Sequence, residues 1–172
     1  MPPSSEGEPS PLSEREFELQ TSTKVSYYRR RKPLGHGGVG IVHEAQQLAL
    51  GRDVAIKAAH ADLPPDEARQ LLLREARVTS VLEHPSIVPI YALAHNGNGR
   101  PIIIMRRIQG ETWGARLLRT SAMRSEERLS EHLELLEQVA RIVHFAHGRG
   151  IIHRDLKPEN VLLDGEGHVR LS

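Results

Sequence analysis

The chain has 172 residues, 38% of them hydrophobic and 26% charged, which is enough for one ordinary soluble domain with a sizeable core. Its net charge of +1, from 23 basic against 22 acidic residues, gives no reason to expect a nucleic-acid or anionic-membrane partner. The absence of cysteine excludes disulfides, thiolate zinc sites and thiol catalysis, and with only 3% aromatic residues the core must be built from aliphatic side chains.

Residues 1–26 are expected to be a disordered polar tail. The stretch from Met1 to about Thr23 is rich in Pro, Ser and Glu and cannot bury enough apolar surface to offset its ordering entropy. No segment approaches the roughly 20 apolar residues of a membrane span, and the start lacks the pattern of a secretory signal. A cytoplasmic location is the default expectation.

Strands are expected at Ile41–Ala45 and Val54–Ala58, joined by a turn at Gly51-Arg52-Asp53 and preceded by the glycine-rich run Gly35-His36-Gly37-Gly38-Val39-Gly40. A helix follows, with Pro65 at its start, Asp66 as a possible cap, and Leu71, Glu75, Val78 and Leu82 on one face. His84-Pro85 should end it. Two more strands, Ile87–Leu93 and Pro101–Met105, flank a turn at Asn96-Gly97-Asn98-Gly99. A short helix is expected from Thr112 to about Leu118. A longer one is expected from Ser130 to about His147, with Glu131 and Glu134 in its first turn and a stripe of Leu133, Leu136, Ala140 and Val143. Val161–Leu163 and His168–Leu171 read as a hairpin around Asp164-Gly165-Glu166-Gly167. The result is an α+β arrangement in two segments, 27–108 and 109–172.

A glycine string alone is weak evidence. Here it is followed by a strand rather than a helix, so the loop is a hairpin that can fold over a ligand, its N–H groups open to phosphate oxygens. Alternation along the next strand puts Ala55 and Lys57 on one face, room for a flat ring with a cation beyond it. Glu75, on an apolar stripe, needs a cation, and Lys57, on the strand just before that helix, is the obvious candidate.

His153-Arg154-Asp155-Leu156-Lys157-Pro158-Glu159-Asn160 gathers three chemistries in one loop. Asp155 can orient and deprotonate a hydroxyl, Lys157 can neutralise a transferred phosphoryl group, and Asn160 offers an oxygen to Mg²⁺. Two other groupings are weaker. His144, His147 and His153 lack an acidic or cysteine ligand to complete a metal site. The run Arg29-Arg30-Arg31-Lys32 would alternate faces in a strand, as a solvated edge does.

This octet, with Gly35, Gly37, Gly40 and Val42, the segment Val54-Ala55-Ile56-Lys57, and Glu75, resembles the eukaryotic-type serine/threonine protein kinases, in a spelling most similar to bacterial members. The resemblance covers about Tyr28 to Ser172 and implies a protein-kinase-like fold: a small antiparallel sheet with one helix, then the beginning of a helical lobe. It implies ATP and Mg²⁺ as cofactors and a protein Ser/Thr hydroxyl as acceptor. Lys57 would hold the α- and β-phosphates with Glu75 as partner. Leu34, Val42 and Ala55 would sandwich adenine, Met105 would be the gatekeeper, and the backbone near Arg106 and Ile108 would bind the adenine edge. Asp155 would be the catalytic base, Lys157 the γ-phosphate contact and Asn160 the magnesium ligand. Val39 stands where an aromatic or Met is common, and Arg106-Arg107 makes the hinge unusually basic. The family's next residue after Ser172 would be the Asp of its D-F-G motif. The 172-residue chain by itself is therefore expected to transfer no phosphate and to aggregate; the alternative is a non-catalytic nucleotide-binding fragment or pseudokinase-like regulatory module.

Overall fold

The computed structural model describes residues 28–122 and 124–172, and the expected polar tail lies outside them. Five antiparallel strands form the first sheet, β1 (Tyr28–His36), β2 (Gly40–Gln47), β3 (Arg52–Ala59), β4 (Ile90–His95) and β5 (Pro101–Arg106), in the order β1-β2-β3-β5-β4. β2 and β3 stay in register from Gly40↔Ala59 to Gln47↔Arg52, reversed by a turn in which Gly51 takes a φ of 64°. Asn96 shapes the β4–β5 turn, its Oδ1 accepting the N–H groups of Asn98 at 3.0 Å and Arg100 at 2.9 Å.

Period-two alternation divides the sheet's apolar residues between two faces. Ala45, Val54, Ile56, Ala94, Ile102 and Ile104 cluster on one; Ala55, Ile103 and Met105 join Leu72, Ala76 and Val88 on the other. Helix α1 (Pro65–Ser80) covers this second face with Ala68, Leu72 and Ala76. The buried stripe therefore differs from the expected Leu71, Glu75, Val78 and Leu82. Leu71-Leu72-Leu73 are consecutive, so hydrophobicity alone leaves the phase of the helix open. The small Ala68 and Ala76 let the backbone approach the sheet and select Leu72. Glu75 lies at the margin, half-buried, and Val78 is exposed. No side chain caps α1; Pro64 precedes it, and Asp66 with Glu67 contributes only charge to its first turn.

Past α1 the chain does not enter β4 at Ile87, as expected, but at Ile90. Ile87 instead makes a parallel bridge to Leu171. Strand β6 (Gly110–Thr112) then pairs with β7 (Val161–Asp164), which pairs with β8 (Val169–Leu171). Thr112 caps the short helix α2 (Trp113–Arg119), its Oγ1 accepting the Ala115 N–H at 3.1 Å.

Helix α3 (Ser125–His147) starts five positions before the expected Ser130 and buries Leu135, Val139, Ile142 and Ala146. The expected stripe is displaced: Leu133 and Leu136 are half-exposed, and Val143 only flanks the core. Leu135 and Leu136 are adjacent, and the hairpin residues Val161, Leu163, Val169 and Leu171 pack with the first. Glu126 and Glu127 occupy the first turn, whereas Glu131 binds Arg116 of α2 at 2.5 Å. Among the described residues no helix is long and apolar enough to cross a membrane.

Candidate active site

Directly opposed residues of an antiparallel pair share a face. The pairs Val42↔Lys57, Lys57↔Ile103 and Ala55↔Met105 therefore place Val42, Ala55, Lys57 and Met105 on the side covered by α1. From there Lys57 Nζ reaches both carboxylate oxygens of Glu75, at 2.6 and 2.7 Å. The half-buried position of Glu75 is thus matched by the cation that the residue order suggested.

The glycine loop spans the β1–β2 connection, where the Gly37 N–H donates to Gly40 O at 2.8 Å. Its glycines differ in kind. A Cβ on Gly40 would lie 2.0 Å from the Ala58 carbonyl oxygen, so the chain itself requires glycine there. A Cβ on Gly35 or Gly38 would meet no atom of the described residues within 4 Å, leaving room for another molecule to approach the backbone. Val39 folds inward against the Ala55–Met105 cluster, while His36 at the other side of the turn is exposed.

Ile108 and Leu162 also pack against that cluster, but Leu34 is exposed and stands outside it. Leu162 was not singled out from the sequence. It sits between the buried Val161 and Leu163, and alternation turns it away from their core, toward the slot. At the hinge, Met105 is buried and the Arg106 N–H is spent on Pro89 O at 3.0 Å. No hydrogen bond among the described residues engages the Ile108 N–H. Arg107 turns back, its guanidinium contacting the Ile108 carbonyl and lying 3.4 Å from Glu44. Glu44, a buried carboxylate, is also near Arg31 at 3.9 Å and Lys32 at 4.0 Å. Two members of the basic run on β1 thus neutralise a buried acid, a pairing that no local pattern signals.

The octet 153–160 is drawn together around Asp155. Lys157 Nζ lies 3.0 Å from its Oδ2, and Asn160 Nδ2 donates to the same oxygen at 3.0 Å and to the Asp155 carbonyl at 2.7 Å. Hydrogen bonding from Lys157, then from Asn160, holds the Asp155 carboxyl below its ordinary value, so it is ionised at neutral pH. Arg154 adopts a φ of 65°, a left-handed conformation uncommon outside glycine and typical of functional turns. With Nδ2 of Asn160 committed to Asp155, its Oδ1 is the atom left to meet a hard cation. Among the described residues no group of three or more His, Cys, Asp or Glu could hold a metal. Asn160 therefore fits Mg²⁺ as one oxygen ligand of a larger set.

Backbone bonds tie β8 and the residue after it to the segment leading into β4 and to the 153–160 loop. Val88 N–H donates to Leu171 O at 2.9 Å, Leu171 N–H to Ser86 O at 2.8 Å, and Ser172 N–H to Asn160 O at 3.2 Å. His153 Nε2 lies 3.3 Å from the Ser172 carbonyl.

The family described as protein kinase domain matches residues 28–172. The chain is 35% identical over 150 residues to serine/threonine-protein kinase PknA of Mycobacterium tuberculosis, covering 84% of this chain and 34% of that protein. It is 39% identical over 137 residues to serine/threonine-protein kinase pkn2 of Myxococcus xanthus, 79% of this chain and 16% of the relative. It is 37% identical over 140 residues to the DNA damage-responsive serine/threonine-protein kinase RqkA of Deinococcus radiodurans, 80% of this chain and 20% of the relative. The chain thus spans about a third or less of the length of these curated relatives. The match begins at β1 and runs through both sheets and the loop that joins them, so the chain belongs to the protein kinase domain family and has its fold.

Proposed function

We propose that the chain binds ATP and Mg²⁺ beneath its glycine loop and forms the nucleotide-binding and catalytic-loop part of a cytoplasmic serine/threonine protein kinase. The observation that carries this is the Lys57–Glu75 pair, on the face shared by Val42, Ala55 and Met105, beside a glycine loop in which no atom of the described residues fills the side-chain space of Gly35 or Gly38.

Adenine enters between Leu34, Val42 and Ala55 on one side and Leu162 on the other, with Met105 behind it and the Ile108 N–H at its edge. The loop residues Gly35, His36, Gly37, Gly38, Val39 and Gly40 lie over the phosphates, which meet loop N–H groups other than that of Gly37, already donated to Gly40 O, and Lys57, held by Glu75, meets the α- and β-oxygens. Asp155 orients the acceptor Ser or Thr hydroxyl and takes its proton as the new O–P bond forms and the bond from the γ-phosphorus to its bridging oxygen breaks. Lys157 stabilises charge on the transferred group. Asn160 Oδ1 would help hold Mg²⁺, which supplies neutralisation of phosphate charge when bound.

Titration calorimetry of the 172-residue chain with MgATP is the test. Saturable binding, weakened at least tenfold by Lys57→Ala without loss of fold, supports the proposal. No binding by a chain with a native circular-dichroism spectrum overturns it. Incorporation of labelled phosphate into a mixed Ser/Thr protein substrate, abolished by Asp155→Asn, distinguishes catalysis from nucleotide binding alone.

A further inference from the structure

The segment that follows β3 is held unusually firmly for a loop. Arg100, fixed at the base of the Asn96 turn, donates to three of its carbonyls: Ala61 at 2.9 Å, His60 at 2.8 Å and Leu63 at 2.7 Å. From this anchored segment His60 makes two contacts with the glycine loop. Its N–H donates to Val39 O at 3.1 Å, and its ring Nε2 lies 2.8 Å from Gly37 O. A carbonyl can only accept, so Nε2 carries the proton. A glycine-rich loop with open space around Gly35 and Gly38 has little of its own to hold it down. The ring ties it instead to the strand that carries Lys57.

We infer that His60 is a positioning residue for nucleotide phosphates: its ring clasps the Gly37 carbonyl and sets the height of the loop's N–H groups above Lys57. This rests on the proposed ATP binding. Turning the Gly37 carbonyl toward His60 keeps an oxygen lone pair out of the phosphate space, where it would repel the anion. Adenine lies at the other end of the slot and should not sense the ring.

The test compares ATP with adenosine. Binding of both is measured on the whole chain, unaltered and as His60→Ala, His60→Asn and His60→Gln, together with amide hydrogen exchange over residues 35–40 without nucleotide. The alanine and asparagine variants, the latter too short to reach Gly37, should lose roughly tenfold in ATP affinity, about 1.4 kcal/mol, while adenosine affinity stays the same. Loop exchange should speed several-fold in both. His60→Gln, whose amide can reach the carbonyl, should recover most of the loss. Equal losses for ATP and adenosine, or unchanged loop exchange, overturn the clasp. If the unaltered chain binds adenosine but not ATP, both the phosphate site and the role of His60 fail. If it binds neither, the nucleotide proposal fails, and exchange alone decides whether the ring holds the loop.

Discussion

Glu75 holds the ammonium of Lys57 with both carboxylate oxygens, within 2.7 Å, across the gap between α1 and β3. The two side chains are 19% and 32% exposed for Lys57 and Glu75, so neither charge is well solvated without the other. Glu75→Gln should lower MgATP affinity roughly tenfold and stability by about 1 kcal/mol, because the lysine loses its orientation and its countercharge together. Calorimetry and thermal melting read the two effects separately. Unchanged affinity would remove Glu75 from the site.

The glycines of the loop make a contrasting pair. Gly40→Ala forces a Cβ onto the Ala58 carbonyl and should cost more than about 2 kcal/mol of folding stability. Gly38→Ala meets open space and should melt within about 0.5 kcal/mol of the unaltered chain. Its ATP affinity should nevertheless fall, since the added methyl occupies the approach to the phosphates. Equal melting temperatures for the two variants would contradict the close contact at Gly40.

Neighbouring leucines on β7 should separate binding from folding. Leu163 is buried in the core against α3, so Leu163→Ala should cost about 2–5 kcal/mol of stability. Leu162 faces the slot beside Ile108 and Met105, and Leu162→Ala should instead weaken ATP binding about five- to tenfold, for roughly 1 kcal/mol of lost apolar contact. Comparing melting curves with binding isotherms checks both halves.

Acid should release the contact between β6 and α2. Arg119, then Arg116, hydrogen-bonds Glu111 and lowers its carboxyl from the ordinary 4.5 to about 2; Arg116 also reaches Glu131 at 2.5 Å. A depressed carboxyl stabilises the fold fully above its unfolded value and loses that contribution as protons bind. The melting-temperature gap between the unaltered chain and Glu111→Gln should therefore be constant above about pH 4.5 and close as pH falls toward about 2. A gap that widens on acidification would mean that the carboxylate is not held by the arginines.

On the open side of α3, Leu129, Leu133 and Leu136 are 60%, 53% and 50% exposed and lie along one row. Leu133→Glu combined with Leu136→Lys should raise the monomeric fraction on size-exclusion chromatography, with stability changed by no more than about 0.5 kcal/mol. An unchanged elution profile would show that this row does not drive association.

What was legible in the sequence was chemistry confined to short spans. The glycine loop, the Ala55–Lys57 alternation and the 153–160 octet each announce themselves within a few residues. The phase of both long helices was not legible, because Leu71-Leu72-Leu73 and Leu135-Leu136 offer more than one apolar stripe. Only the surfaces opposite, the sheet face at Ile103 and the hairpin at Leu163, decide between them. The start of α3 was misplaced because Ser130 and Glu131 imitate a capped first turn, while Glu131 is taken by Arg116. Contacts that span the chain, such as Glu44 with Arg107 or Arg100 with the carbonyls of 60–63, have no local signature at all.

The bond between the Arg170 guanidinium and the Pro85 carbonyl closes a span of 85 positions, beside the Ser86–Leu171 and Val88–Leu171 bonds. By contrast, the β1–β2, β2–β3 and β4–β5 pairs join immediate neighbours in the chain, and only β3–β5 in that sheet spans intervening elements. Loop-closure entropy penalises the long connection and spares the short ones, so the first sheet should assemble early and the seam late. His153 and Asn160 are tethered to Ser172, the residue after the strand that completes this seam. The 153–160 loop would then acquire its shape in the last step of folding, and a chain stalled before that step would display the glycine loop and the Lys57–Glu75 pair with Leu162 and Asp155 still adrift.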